Sequence, residues 1–575
     1  MVLFDGPPAT EGDLLLVASV FFGISLLLAC HMFKWTSVVS FVTMCTVALL
    51  QGRMAYVTGP YGAANGPGWD WNMVPQQWCV FVLLLMCNVV ATLSSVPAVG
   101  SLVKRLLDPS LQPWSEGALQ ERQEEAGLPI PSLTVLLPCY MPNEQGLVEE
   151  TIEHILTKLR YPRSFTLVVC YNTPHALPIE ARLAEMDGAA YDGASGDGTL
   201  NTLRIRKVVG STSKSHNLNA ALEDVTTDNV VIYDADHHPD PTSLEVLTSF
   251  MLAHGCGCVQ GSTYLRREAS CLAYLINAEF FITHFVVFPA QQVATDTGLF
   301  GGSNALWSAR VLKQRQFRHD VQTEDIEYTA RALLGKVKIR FCPEARSGEL
   351  PPASLSALWR QRLRWAIGWD QVTLRHVASI ATSTRLHPCR KASLFYILPA
   401  RWLFLVLSLF SIFAVPLLAL INVTVYLPSP FPSWVPDWVQ NQWAPTQILE
   451  PFLARQAQQL AQYQWICFTT LFTVVLINAG LYEWRRPHRA LVVVGFFLLG
   501  PLYLIFNLAL AATSIYKICR QRDGGWVVTT RADGGSAAPG RPSGAFWPGF
   551  GRLKEVIQPD TQPKGRAATG ATALH

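Results

Sequence analysis

Residues 230–240 read VVIYDADHHPD, a run of strand-forming residues that ends in Asp234 and Asp236, two histidines and a proline. Acids and histidines this close could make a zinc site, a proton relay or merely a polar loop. Side chains alternate along a strand, so the two aspartates are expected to project to one side. Carboxylates held together repel unless a cation sits between or near them. Oxygen-only ligation with few protein donors suits Mg²⁺ or Mn²⁺ completed by a diphosphate. Zinc would want several nitrogen or sulfur ligands, and only His237 and His238 offer themselves. A solvated acidic loop is the competing reading.

Two further stretches carry chemistry. In HDVQTEDIEYTARALLG, Thr323 is placed as a helix N-cap with Glu324 and Asp325 in the first turn. Ordinary capping and dipole complementarity would explain these residues; so would a carboxylate serving as general base. In WRQRLRWAIGWDQV, helical spacing puts Gln361 beside Arg364 and Trp365. Arginine suits a leaving diphosphate, and an indole offers a flat apolar platform for a sugar ring. A basic amphipathic helix on a membrane surface is the other reading, and one helix can be both.

The elements that must position these residues are of two kinds. The chain has 575 residues, 50% hydrophobic and only 15% charged, with positive mean hydropathy. That is too apolar for a soluble enzyme and too polar for a protein that is all membrane, so a soluble domain among membrane spans is expected. Runs at 14–33, 36–51, 79–103, 397–426, 465–483 and 489–516 are nearly free of charge. Most reach the roughly 20 residues that cross a bilayer, and 36–51 is short. The acidic flank before 14–33 argues against a signal peptide. Lys34, Lys104, Arg105 and the cluster Arg485, Arg486, His488 and Arg489 are assigned to the cytosol. This puts 104–395 inside and the loop 427–464 outside. Gly500-Pro501 is expected to break 489–516 into a re-entrant hairpin, keeping the tail cytosolic. The thirteen cysteines form no CxxC pairs and read as reduced packing residues. A net charge of +3 without a basic-aromatic platform gives no reason to expect nucleic acid. The Gly-, Ala- and Pro-rich end of the chain reads as disordered.

From Leu133 the pattern changes to LTVLLPCY, EETIEHILTKL, FTLVVCY, LRIRKVV, NLNAALEDV and NVVIYDAD. Strands alternating with helices predict a parallel sheet covered on both faces, whose ligands sit beyond the carboxyl ends of the strands. Tyr140 and Glu144, Asn172, and the Asp234–Asp236 pair fall there.

Asp-x-Asp, Thr-Glu-Asp and Gln-x-x-Arg-Trp, in that order and flanked by spans, resemble the membrane-embedded family 2 glycosyltransferases, such as cellulose, hyaluronan and chitin synthases. The resemblance covers roughly 130–375, the membrane layout and one tail motif. STSKSHNLNAAL is similar to their nucleotide-binding turn and puts Lys214 near the diphosphate. FGGSNALW looks like the segment bordering the acceptor sugar, with Gly302 and Ser303. Trp526, Thr529 and Arg531 resemble a gating loop that closes over the nucleotide. The sequence departs from the family at Asn172, where members usually carry an aspartate that reads uracil; an amide oxygen could accept the same hydrogen bond. Which of Tyr140 and Glu144 touches the nucleotide is open.

The resemblance implies an α/β GT-A domain, Rossmann-like and cytosolic, between transmembrane helices. Its expected layout is membrane helices at 1–103, the glycosyltransferase domain at 104–350, interface helices at 351–395, further spans at 396–516 and the gating-loop motif with tail at 517–575. The implied chemistry is an inverting transfer, with Asp325 as base beside Glu324. Asp236 helped by Asp234 would hold Mg²⁺ or Mn²⁺, Lys214, Gln361 and Arg364 would stabilise the leaving diphosphate, and Trp365 would bind the acceptor. The expected protein is a multi-pass enzyme of the plasma membrane or Golgi. It would elongate and export a polysaccharide, a β-glucan from UDP-glucose being the first expectation. The alternatives are a non-processive enzyme acting on a lipid, as ceramide glucosyltransferase does, and a chitin- or hyaluronan-type synthase using another UDP-sugar. A transporter or receptor with a degenerate enzyme-like domain would be expected to lose the motifs that are present here.

Overall fold

The structure of the chain, a computed structural model, describes residues 75–107, 119, 129–194, 198–384, 386–408 and 451–520. Its described strands are β1 (Leu133–Tyr140), β2 (Thr166–Asn172), β3 (Ala190–Asp192), β4 (Leu200–Lys207), β5 (Asn229–Ile232), β6 (His238–Pro239), β7 (Cys258–Leu265), β8 (Ala305–Ser308) and β9 (Ile339–Glu349). They form one sheet in the order β3-β4-β2-β1-β5-β8-β7-β9-β6.

β1 is buried from Leu133 to Cys139, the continuous apolar run of a strand covered on both faces. It pairs in parallel with β2 and β5, and β4 extends the parallel run. The parallel order expected from the strand–helix alternation holds across β4-β2-β1-β5 and again between β7 and β9, while the edge strand β3 runs antiparallel to β4. β8 runs antiparallel to both β5 and β7, so the sheet is mixed. The chain enters β8 through Gly302 and Asn304, with φ of 86° and 50°, and this left-handed pair turns it against the parallel strands.

The principal helices are α1 (Pro75–Leu107), α2 (Val148–Lys158), α3 (Lys214–Asp224), α4 (Ser243–His254), α5 (Cys271–Ile282), α6 (Phe288–Thr295), α7 (Glu324–Leu334), α8 (Leu355–Thr382), α9 (Pro388–Ile397), α10 (Pro451–Glu483), α11 (Pro487–Leu498) and α12 (Gly500–Cys519). α2 buries Val148, Thr151, Ile152, Ile155 and Leu156, the spacing of one helical face. With α4 it covers one side of the sheet, while α3, α7 and α8 pack on the other. Ser213 caps α3 by accepting from the His216 N–H, and Ser354 caps α8 in the same way through Ala357.

Among the described residues four helical segments are long and apolar enough to cross a membrane: Val89–Leu107, Cys271–Thr295, Ile466–Glu483 and Gly500–Cys519. A bent pair, Arg390–Ile397 with Ala400–Ser408, adds a fifth if it is one span. The segment read as a re-entrant hairpin at 489–516 divides into α11, which ends at Leu498 and is a shorter apolar helix, and α12 from Gly500, which is itself long and apolar enough to cross a membrane. α12 lies along α8, Phe506, Leu510 and Ile518 meeting Trp359, Leu363 and Ile367. Cys271–Thr295, inside the segment read as cytosolic, is the addition. It comprises α5, a π-helical turn at Thr283–Val287 and α6. Ala278, Phe281 and Phe285 pack it against Ala98 and Leu102 of α1, Val474 of α10 and Val493 of α11. The runs at 14–33 and 36–51 and the loop 427–450 lie outside the described residues.

Candidate active site

The carboxyl ends of β1 and β5, where the strand order changes direction, open into a cavity of about 310 Å³. Crevices at such switch points are where open α/β sheets bind ligands. Every described residue that the sequence assigned a substrate-binding, metal-binding or catalytic role lines this one cavity. Tyr140, Glu144 and Asn172 stand at the β1–β2 end, followed by Lys214, Asp234 and Asp236. Gly302, Ser303, Glu324 and Asp325 form the middle, and Gln361, Arg364 and Trp365 the α8 side. Trp526, Thr529 and Arg531 lie outside the described residues.

Asp234 and Asp236 do not sit on a strand. β5 stops at Ile232, and the His237 N–H donates to the Asp234 carbonyl at 3.0 Å, so a tight turn holds the pair. Strand alternation is therefore the wrong reason for their proximity. The Asp234 N–H donates to Ser303 Oγ at 3.0 Å, which ties this turn to the turn that leads into β8. His237 is buried, with Nε2 3.3 Å from Glu349 and Nδ1 3.0 Å from Ser347 Oγ. Burial works against its charge, but Glu349 and Asp236 raise its pKa. His238 turns the other way, stacked on His154 at 4.3 Å and 2.9 Å from Arg266. Both histidines are thus committed to neighbours, in keeping with setting zinc aside.

Lys214, on the first turn of α3, links the acids. Its Nζ lies 2.5 Å from Asp234 Oδ1 and 3.7 Å from Glu324 Oε1, and donates to the Gly302 carbonyl at 2.9 Å. Burial disfavours the ammonium, yet Asp234 and Glu324 outweigh it and raise its pKa. Asp325 is the opposite case. Burial, then the charge of Glu324, pushes its carboxyl up to about 7, against the pull of Lys214 and Arg364. Gly302 is required beside it: a Cβ there would stand 3.0 Å from Asp325 Oδ2, on backbone at φ 86°.

Asn172 is engaged at both ends. Its amide donates to the Ser211 carbonyl at 3.0 Å and its oxygen accepts from Asn217 at 2.8 Å. It braces the Lys214 loop against β2. The Glu144 carboxylate accepts from the Tyr140 N–H at 2.8 Å, so these two fix each other at the end of β1.

Residues the sequence reading passed over complete the α8 side. The Arg362 guanidinium lies over the Trp365 ring at 4.3 Å and is held by Glu279 at 2.9 Å. Glu279 in turn accepts from the Tyr503 hydroxyl at 2.6 Å. One indole face is therefore occupied, the ring also packs beside Phe280 and Leu358, and Trp365 still lines the cavity. A lone glutamate in the apolar run of α5 was the available signal, because a charge there needs a partner.

Among the described residues no three His, Cys, Asp or Glu side chains gather to hold a metal. Two carboxylates at the cavity wall are the donor set, which fits a hard cation that takes its remaining ligands from phosphate and water.

Residues 131–368 match the model described as "Glycosyltransferase like family 2". The poly-beta-1,6-N-acetyl-D-glucosamine synthase of Staphylococcus aureus (strain MSSA476) is 24% identical over 285 residues, 48% of this chain and 63% of that protein. The synthase of the same name from Staphylococcus epidermidis is 25% identical over 249 residues, 43% of this chain and 56% of that protein. The chain thus spans less than two thirds of the length of these curated relatives. Among solved structures, the mannosyltransferase PcManGT from Pyrobaculum calidifontis, in complex with GDP-Man and Mn²⁺, is 18% identical with a TM-score of 0.36. It covers 69% of this chain and 99% of its own. Residues 131–368, with their mixed sheet and its switch-point cavity, have the GT-A fold and are similar to the family 2 glycosyltransferases.

Proposed function

We propose that the protein is a membrane glycosyltransferase that elongates a polysaccharide from a nucleotide sugar, with inversion at the anomeric carbon. The observation that carries this is the placing of a near-neutral carboxyl, Asp325, in one cavity with a lysine–aspartate pair, Lys214–Asp234. Such a site offers a base and a charge clamp on the walls of one cavity. Asp325 takes the proton from the acceptor hydroxyl while that oxygen bonds to the anomeric carbon and the bond to the diphosphate breaks. Lys214, Gln361 and Arg364 stabilise the departing charge, and Trp365 supports the acceptor ring. Asp234 and Asp236 would hold a divalent cation, Mg²⁺ or Mn²⁺, which would supply further neutralisation of the diphosphate. The apolar helices around α5–α6 and α8 are suited to carrying the product into the bilayer, with the catalytic domain on the cytosolic side.

The β-glucan made from UDP-glucose rests on the resemblance of the Asp-Ala-Asp-His motif and the tail to cellulose synthases. The curated relatives, named as synthases of an N-acetylglucosamine polymer, favour UDP-N-acetylglucosamine as donor. Reconstituted protein incubated with a panel of labelled nucleotide sugars, followed by linkage-specific hydrolases, separates the two. Product confined to lipid would sink the polysaccharide reading in favour of the lipid-acceptor one. In the same assay, dialysis against EDTA is expected to lower turnover by about 10²-fold or more, with Mn²⁺ or Mg²⁺ restoring it. Full turnover in EDTA would remove the cation from the scheme.

The base assignment also fixes a pH profile. Only the carboxylate form of Asp325 accepts a proton, so kcat/KM for the donor should rise with pH and level off above about 7. Glu324→Gln removes a charge that pushes the Asp325 pKa upward. The rising limb is therefore expected to move to lower pH in that variant. A limb that stays in place would separate it from Asp325.

A further inference from the structure

We propose that His284 is a binding residue for the acceptor sugar, its Nε2 accepting a hydrogen bond from a hydroxyl of the ring seated at Trp365. The proposal rests on the glycosyltransferase reading above for the nature of the ligand, but its geometry is independent of Asp325. Following the strand order, the cavity runs from Asn172 on β2 and Tyr140 on β1, past Asp234 beyond β5, to the α5–α6 rod. His284 stacks on Phe341 of β9 with 5.9 Å between ring centroids, so it stands at the end opposite Asn172. Thr283 and His284 both line the cavity, and they open the π-helical turn Thr283–Val287. The wider turn brings consecutive side chains to one wall, and such turns concentrate at functional sites.

The ring has a fixed orientation and a fixed tautomer. His284 Nδ1 lies 2.8 Å from the Phe280 carbonyl oxygen. A carbonyl can only accept, so Nδ1 carries the hydrogen and Nε2 of the neutral ring carries a lone pair. Phe280 and Phe288 meet the ring edge-on, at 5.7 and 5.5 Å between centroids. No described residue hydrogen-bonds Nε2. One oriented acceptor among Phe280, Phe288 and Trp365 is the composition of a site that stacks an apolar ring face and reads one hydroxyl.

Two substitutions separate the roles of the two nitrogens in the full-length protein in lipid nanodiscs. His284→Asn keeps an amide donor near Nδ1 for the Phe280 carbonyl but has no acceptor at Nε2. His284→Gln places an amide near Nε2. With β-linked hexose and N-acetylhexosamine oligomers as probes, His284→Asn is expected to raise the acceptor KM about tenfold. The donor KM and the acceptor-free hydrolysis of donor should stay within about twofold. His284→Gln should recover most of the loss. An unchanged acceptor KM in His284→Asn overturns the proposal, as does an equal loss of donor hydrolysis in both variants. Calorimetric binding of the same oligomers without donor distinguishes the two readings. Wild type that binds oligomer tenfold more tightly than His284→Asn, yet turns over no nucleotide sugar, leaves His284 standing and removes the catalytic reading. Wild type that binds no oligomer overturns the His284 assignment itself.

Discussion

Asp325→Asn is expected to abolish sugar transfer, by about 10³-fold or more, while leaving nucleotide binding within about twofold of wild type. The amide matches the carboxylate in size, and its oxygen can still accept the Ile326 N–H that Asp325 Oδ1 accepts at 2.8 Å. The first turn of α7 should therefore stay in place, and only the ability to take a proton is lost. Stability supplies a second readout with a definite sign. The Asp325 carboxyl is pushed up to about 7 from 3.8, so the folded protein binds this proton more tightly than the unfolded chain. Its contribution to stability is then full below 3.8 and declines as pH rises toward 7. At pH 8 the buried carboxylate is a liability that asparagine removes, and Asp325→Asn should melt at a higher temperature than wild type. A catalytic group that strains its fold shows this pairing of lost activity with gained stability. Lower stability at pH 8, or loss of UDP binding, would make Asp325 structural and take the base assignment with it.

The convergence of Asp325, Lys214, Asp234 and Trp365 on one cavity was legible because each motif has its own local cause. A strand end, two helix starts and one helix face were each readable from residue type and period, and the switch-point rule says where strand ends gather. What was not legible lies between elements. The Asp234–Asp236 pair is set by a turn held to Ser303, a contact across 69 residues that no local pattern carries. β8 lies in a segment read only for its glycines and serine, and its antiparallel sense follows the left-handed pair Gly302 and Asn304. Asn172 carries the polarity expected of a ligand-reading residue, yet Asn217 and Ser211 take up its amide. Cys271–Thr295 was passed over because Asn277, Glu279 and His284 interrupt its apolar run. Two of them, Glu279 and His284, line the cavity, and Glu279 holds Arg362 over Trp365.

Gly368→Ala tests whether packing between α7 and α8 sets the position of the base. In an ordinary helix interior this substitution would stabilise by about 1 kcal/mol. Here an added Cβ would stand 2.4 Å from both Cγ2 and Oγ1 of Thr323 and 2.8 Å from its Cβ, so α7 must shift at its first turn. Thr323 occupies the N-cap position read from the sequence, but its hydroxyl caps nothing and makes no hydrogen bond. Its role is to fill the notch that Gly368 leaves in α8. Glu324 and Asp325 follow directly, and a displacement of about 1 Å at a reacting group lowers rates by about 10²-fold. Gly368→Ala should thus lose about 10²-fold in transfer and about 1–3 kcal/mol in stability, the range for overpacking. Thr323→Ala alone should stay near wild type, because it deletes a methyl and an unbonded hydroxyl. Combined with Gly368→Ala it removes both 2.4 Å contacts, so the double variant should regain much of the lost activity. That coupling is the signature of two side chains sharing one space. Additive losses in the double variant, or wild-type activity in Gly368→Ala, would show that the first turn of α7 is positioned by something other than its fit against α8.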